Sequence, residues 1–418
     1  MSFQQGLSGL NASSKNLEVI GNNVANANTI GAKASRAEFG DMYASAISGS
    51  SIGIGVNLQA VTQQFTQGNI TTTDNPLDLA INGTGFFEVQ NSQGQTLYTR
   101  NGQFQANKDG FITSNAGLKL VGYPASKDGT IQPGAAVPLQ LPTGGVDPNP
   151  TGKITVELNL DSRKATTLPA TAPPIDFSNA KTYNDATSVT VFDAKGQDVA
   201  LTYYFQKSAT DTWNVYATAN GTSAKVDGAG KPLPITTIAF PSNGGAPTAP
   251  AGPVLFDVPS TTNAAGATTL AITGVALDLT GATQFGSGFG VTNMTQDGYA
   301  AGVLTSVSVE KSGVVMASYS NGQAKPAGQL ELATFRNPQG LSPLGGNLWA
   351  RSFASGDPTV GTPSSGNIGA LQAGALEESN TDLTGELVDM ITAQRVYQAN
   401  AQTIKTQDQV LQTLVNLR

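Results

Sequence analysis

The chain has 418 residues, with 22 Lys and Arg against 29 Asp and Glu, a net charge of −7, and neither Cys nor His. Those two absences remove thiolate nucleophiles, Cys or His metal sites and every Ser-His or Cys-His dyad, and the acidic balance argues against a surface that tracks nucleic-acid phosphates. Only 12% of residues are charged, against about 25% in an average protein, so little ionic surface has to be desolvated when copies of the chain pack together.

At about 150 residues per domain the length predicts two or three domains. No apolar run reaches the roughly 18 residues of a membrane-spanning helix, and no membrane insertion is expected. The start, Met1-Ser2-Phe3-Gln4-Gln5-Gly6, lacks the basic and apolar regions of a cleaved export signal. That leaves a cytoplasmic chain or one exported by another route, and the lack of Cys leans towards the second.

In chain order, Phe3, Leu7, Leu10, Leu17 and Val24 follow a 4-3-4-3 spacing, with Ser14 and Gly21 in the remaining stripe positions. This predicts a helix with a narrow apolar seam. Ser2 with Gln5 reads as a capping box and Gly31 as a stop, while Gly21 reads either as a helix break or as a close approach to a neighbouring helix. A connector rich in Ser, Gly, Asn, Gln and Thr follows over 29–71. Next comes a β domain, signalled by Asn82-Gly83, Asn101-Gly102 and Asp109-Gly110 around short β-rich runs such as 86–89.

The Pro- and Gly-rich stretch 142–150 reads as a linker and 280–290 as its return, enclosing a further β segment with strands near 189–192, 199–205 and 213–217. The first β domain then resumes with runs at 303–309 and 314–319. A second connector covers 360–376. The last stretch carries Leu383, Leu387, Met390, Tyr397, Ala401, Ile404, Leu411 and Val415 on one 3-4 stripe, broken by Gln394 and Asp408. Glu377, Glu378, Asp382, Glu386 and Asp389 precede Arg395, Lys405 and Arg418, which suits the helix dipole.

The expected fold is multidomain α+β. Terminal segments 1–28 and 377–418 pair in an axial, coiled-coil-like helical domain, reached through connectors 29–71 and 360–376. A first β domain covers 72–146 and 291–359, and an outer β domain, 147–290, is inserted in it. A narrow seam returns little against the cost of ordering two long helices, so both ends are expected to be mobile in a free subunit and to fold against neighbouring copies.

Other readings are poorer. Gly53-Ile54-Gly55 and Gly286-Ser287-Gly288-Phe289-Gly290 lack the strand-to-helix setting of a phosphate loop. Trp213, Trp349 and Tyr203-Tyr204 suit core or interface packing better than a carbohydrate site, and Glu377-Glu378 suits a charged helix start better than acid/base work. Neither an enzyme nor a cofactor is expected.

Two terminal motifs carry a resemblance. Leu10-Asn11-Ala12-Ser13-Ser14, Leu17 and the run 21–31, which reads GNNVANANTIG, resemble the N-terminal signature of the bacterial flagellar rod and hook axial proteins. The run 387–400, LVDMITAQRVYQAN, with Lys405-Thr406-Gln407-Asp408, is similar to their C-terminal signature. Residues 78–87 and 98–104 resemble their shared β-domain motif. One departure stands at Gly31-Ala32-Lys33, where the family usually carries an aromatic in place of Ala32.

The resemblance implies an extracellular helical polymer of the flagellum, exported uncleaved through the type III apparatus. Distal rod members lack a large inserted domain, so the segment 147–290 favours the hook branch, a curved tube acting as a universal joint between rod and filament. It further implies self-assembly and contact with rod, hook-cap, hook-length-control and hook–filament junction proteins. The alternatives are a distal rod subunit and, from another class, a secreted carbohydrate-binding β protein.

Overall fold

Helical periodicity at the two ends and turn residues between them divide the chain as its composition foretells. In the computed structural model, which describes residues 2–43, 53–126, 129–167 and 175–416, helix α1 spans Ser2–Ala25 and helix α2 spans Leu383–Asn416. Between them the described residues form strands, plus one short 3-10 turn at Pro338–Gly340. Residues 44–52 of the first connector, and Arg418, lie outside the described residues.

Backbone contacts divide the chain into two compact units. The first comprises 1–143, 305–318 and 324–418. Its centre is a sheet of thirteen strands drawn from 86–138 and 304–361. One face buries Leu79, Phe87, Phe104, Leu120, Val315 and Leu330. A satellite cluster joins Phe86, Tyr98, Phe335 and Trp349, and Phe65 of the first connector packs edge-on against Phe86 and Trp349 at 5.4 Å each.

The second unit comprises 144–304 and 319–323. A four-stranded and a five-stranded sheet enclose one apolar interior that includes Ile154, Val156, Leu158, Tyr203, Trp213 and Leu277. Strand Lys153–Asn159 alternates buried and less buried positions, the period-2 signature of a strand with one face in a core. Trp213 and Tyr203 are fully buried in this core.

One turn recurs through both units. At 91–94, 107–110, 193–196 and 227–230 an Asn or Asp side chain accepts hydrogen bonds from the backbone N–H groups two and four residues on, with Gly at the third following position. At Gly110 φ is 84°, the left-handed conformation that costs other residues a Cβ clash.

Two expectations at the chain ends are corrected. α2 starts at Leu383, because Asp382 caps it: its carboxylate accepts from Thr384 N–H at 3.0 Å. Residues Ala375–Glu377 are a strand instead, paired with Ile70–Thr72, so Glu377 is not part of a charged helix start. At the other end, the Gln5 side-chain amide donates to Gly53 O at 2.6 Å and so reaches strand Gly53–Gln63 instead of closing a capping box.

Candidate functional site: the terminal helices and the junction beneath them

α1 is amphipathic, yet the face it turns towards α2 is small and polar. Gly6 lies where a Cβ would come within 3.0 Å of the Ile404 side chain, and a Cβ on Gly9 would come within 2.9 Å of the Asn400 amide. Further along, the Asn23 amide donates to Glu386 at 2.8 Å, so the helices run antiparallel. Gly6, Ser13, Ile20 and Asn23 are buried on α1 and Ala393 on α2. Small residues allow this close approach; α1 runs unbroken through Gly21, where a Cβ would meet nothing within 4 Å.

The expected seams therefore do not close on each other within one chain. Phe3, Leu7, Leu383, Leu387, Tyr397, Leu411 and Val415 are exposed, Val415 at 73%. Leu10, Leu17, Val24, Met390, Ala401 and Ile404 are half-buried, and of these Ile404 meets α1 at Gly6. The stripe that packs inward is displaced round α1 onto Gly6, Ser13 and Asn23 together with Ile20, most of them too small or polar to register as a seam. Beside it, a cavity of about 490 Å³ lies between the helices and the start of the connector, lined by Ser13, Ile20, Asn23, Ala34, Glu386 and Ala393 among others.

Below the helices the connectors are laced together. Gly31 ends the turn after α1 with φ at 69°, and a Cβ there would fall 2.6 Å from Asn101 N, so only glycine fits without displacement. Its N–H donates to Glu377 O at 2.8 Å. The Asn23 amide bridges both backbone groups of Ser35, and Asn380 accepts from Ala34 N–H while donating to Gln64 O at 2.7 Å.

At the centre stands an ion trio. The Lys33 ammonium donates to Glu377 Oε1 at 2.6 Å and to Thr66 O at 2.8 Å, while Arg100 Nη1 donates to Glu377 Oε2 at 3.0 Å. Gly68 N–H also donates to Oε1, and Arg100 Nη2 donates to Gly83 O. The Lys33 and Glu377 side chains have no solvent exposure and that of Arg100 has 4%. Burial pulls Lys33 below the ordinary lysine range, and the Glu377 charge opposes that pull. Arg100 stays charged at any accessible pH, and its Nε has no hydrogen-bond partner.

Set against known proteins, the chain is 41% identical over 426 residues to the flagellar hook protein FlgE of Escherichia coli (strain K12), covering the whole of both chains. It belongs to the flagellar hook protein family. The FlgE of Salmonella typhimurium is 40% identical, again over the whole of both, and that of Rhizobium meliloti 31%, over all of this chain and 98% of the relative. Family models match in four places: flagella basal body rod protein over 3–33, FlgE/F/G D1 domain over 80–167, FlaE D2 domain over 159–299, and FlgEFG C-terminal over 372–417. The crystal structure of Helicobacter pylori FlgE2 shares the fold at a TM-score of 0.52 and 15% identity, covering 73% of this chain and all of that one.

In this hook-family chain Ala32 is 4% exposed and lines a cavity of about 260 Å³ together with Asn23, Gln63, Asn347 and Trp349. The connector is held without an aromatic there, by the trio and by Phe65. Sequence reading singled out none of Lys33, Arg100, Asn23 and Asn380 for these roles. The available signal was Arg100 directly after the β-rich Tyr98-Thr99, a cation where a strand heads into a core.

Proposed function

We propose that the chain is a structural, non-enzymatic subunit of the extracellular bacterial flagellar hook, polymerising with its own copies into a curved hollow tube that passes torque from rod to filament. The observation that carries this reading is the outward apolar surface of both terminal helices: Phe3, Leu7, Leu387, Leu411 and Val415 are 44–73% exposed in the lone chain. Such side chains gain burial only from other molecules, and in a polymer the available molecules are identical copies.

In this reading helices Ser2–Ala25 and Leu383–Asn416 form the axial, coiled-coil-like inner wall, the connectors that follow and precede them lead outward, and two mainly-β domains, the second of them inserted in the first over 144–304, form the outer body. Close-packed helices resist twist, whereas polar outer contacts re-form at small cost as the tube bends. Rod, hook-cap, hook-length-control and hook–filament junction proteins would adjoin the polymer, and the flagellar export apparatus would deliver its subunits.

Electron microscopy of concentrated purified chain tests this. Curved tubes are expected from the full chain and none from a chain ending at residue 382 that keeps its β circular-dichroism signal. Tubes from the truncated chain would overturn the mechanism, a straight polymer would favour a rod subunit, and a saccharide-binding monomer would favour the carbohydrate reading.

A further inference from the structure

The junction joins parts of the chain that sequence keeps far apart. Lys33 follows α1, Glu377 precedes α2, and Arg100 sits in the β body, 277 residues from Glu377. The hairpin formed by strands Ser35–Tyr43 and Gly53–Gln63 separates α1 from the β body along the backbone. Lys33 bypasses it: the ammonium that meets Glu377 also meets Thr66 O on the far side of the hairpin.

We propose that Lys33, Glu377 and Arg100 form a clasp that locks both chain ends to the β body and is the point through which a turning force on the terminal helices enters that body. The proposal rests on the hook reading for its mechanical role, and on geometry alone for the clasp. Glu377 is the centre, since both of its oxygens are engaged, one by Lys33 and Gly68 N–H and the other by Arg100. Water does not reach the ions, so their attraction is little screened by salt. An apolar contact of equal area would hold the segments together yet let them slide, because burial has no direction. Three charge-assisted hydrogen bonds to one carboxylate fix position and angle as well.

The roles are unequal. Removing Glu377 leaves two buried cations facing each other, whereas removing Lys33 leaves a neutral Glu377–Arg100 pair, so Glu377→Gln is the severe variant and Lys33→Met the mild one. Replacing all three by Lys33→Met, Arg100→Met and Glu377→Leu returns a dry, uncharged junction and separates positioning from stability, since such replacement often restores stability without restoring directed bonds.

Hydrogen exchange on the full-length subunit, with the 154–158 amides as internal reference, provides the test. Lys33→Met should speed exchange of the amides of Gly31, Ala34, Gly68 and Glu378 at least tenfold, Glu377→Gln further, and the reference amides not at all. The triple variant should recover the parent melting temperature while its junction amides stay fast. Tubes grown from the triple variant should twist more than parent tubes under the same applied torque. Parent-like junction exchange in Lys33→Met, or full recovery of slow exchange in the triple variant, overturns the clasp. Absence of tubes from the parent chain would count against the hook reading and leave the exchange result to decide the clasp. Parent-like torsional stiffness in triple-variant tubes would remove its role in carrying torque.

Discussion

The interior of the 144–304 unit and the terminal helix pair use apolar residues in opposite ways. In the first, Ile154, Val156, Leu158, Trp213, Val215 and Leu277 are at most 2% exposed, and Trp213 Nε1–H donates to Gln284 at 2.9 Å. In the helix pair, Gly6, Ser13 and Asn23 are buried beside Ile20 and Ala393, while Leu387, Ile391 and Leu411 are exposed. One region has gained its burial energy within the chain, and the other leaves apolar surface exposed, which in the proposed hook reading copies of the chain would cover. A mutation's effect on the lone chain should therefore report which kind of region it strikes.

The largest effect is expected at Trp213. Trp213→Ala empties a core site and strips Gln284 of a buried donor, for a loss of about 3–5 kcal/mol in urea unfolding of the full chain. Trp213→Phe, which keeps most of the volume and loses the hydrogen bond, should cost clearly less. An Ala variant that unfolds at the parent midpoint would mean that this interior is not what holds its unit together. Gly31→Ala comes next, at about 1–3 kcal/mol, because the left-handed backbone and the adjacent Asn101 N leave no place for a Cβ. That result would align the junction with the closed interior and not with the open helices, and a neutral outcome would break the alignment.

The same contrast explains what could be read from the sequence. The helices were legible because a 4-3 spacing of apolar residues persists over many turns, and the β body because turn residues punctuate it. Family membership was legible in the two terminal motifs. Helix orientation was not, since the apolar stripe from Phe3 to Val24 is not the face on which the chain folds on itself. The trio was hidden for another reason. Lys33 and Glu377 meet only after strand Ile70–Thr72 pairs with Ala375–Glu377 and Gly31 turns back onto Asn101, and no local pattern encodes that pairing. Glu377 was misread from its neighbours: an acid before a helical stripe suits a helix start, yet Asp382 already fills that role.

A smaller effect should follow pH. Glu331 is 3% exposed and accepts from the Tyr123 hydroxyl at 2.9 Å, and Glu88 lies opposite it, one step along the register that pairs Phe87 with Leu332. Glu88 Oε2 is buried without a partner. Burial, helped by the Glu331 charge, raises the Glu88 carboxyl from 4.5 to about 7, and burial raises Glu331 too. Tyr98, Tyr123, Arg351 and Asp357 are the other titratable groups acting in this cluster. An acid whose pKa is higher in the fold than in the open chain favours folding where it is protonated. Its contribution is whole below about 4.5 and is lost as pH rises through about 7. The melting temperature should fall across that window, and Glu88→Gln should flatten the fall; an equally steep profile in the variant would assign it to other groups.

The smallest change in stability should come from exposed leucines of α2. Leu387→Ser and Leu411→Ser alter side chains that are 44% and 50% exposed on α2, so each should shift the unfolding free energy of the isolated subunit by no more than about 0.5 kcal/mol. Serine also lowers intrinsic helix propensity slightly, which keeps the sign destabilising. If these leucines instead closed an intramolecular seam, each loss would be several times larger, as for any buried leucine. Unfolding of the two variants in dilute solution, beside their polymerisation at high concentration, therefore separates a helix pair completed within one chain from one completed by its neighbours. A near-neutral subunit that no longer polymerises is the expected pair of results, because in the proposed hook reading these side chains are buried only at the contact between copies.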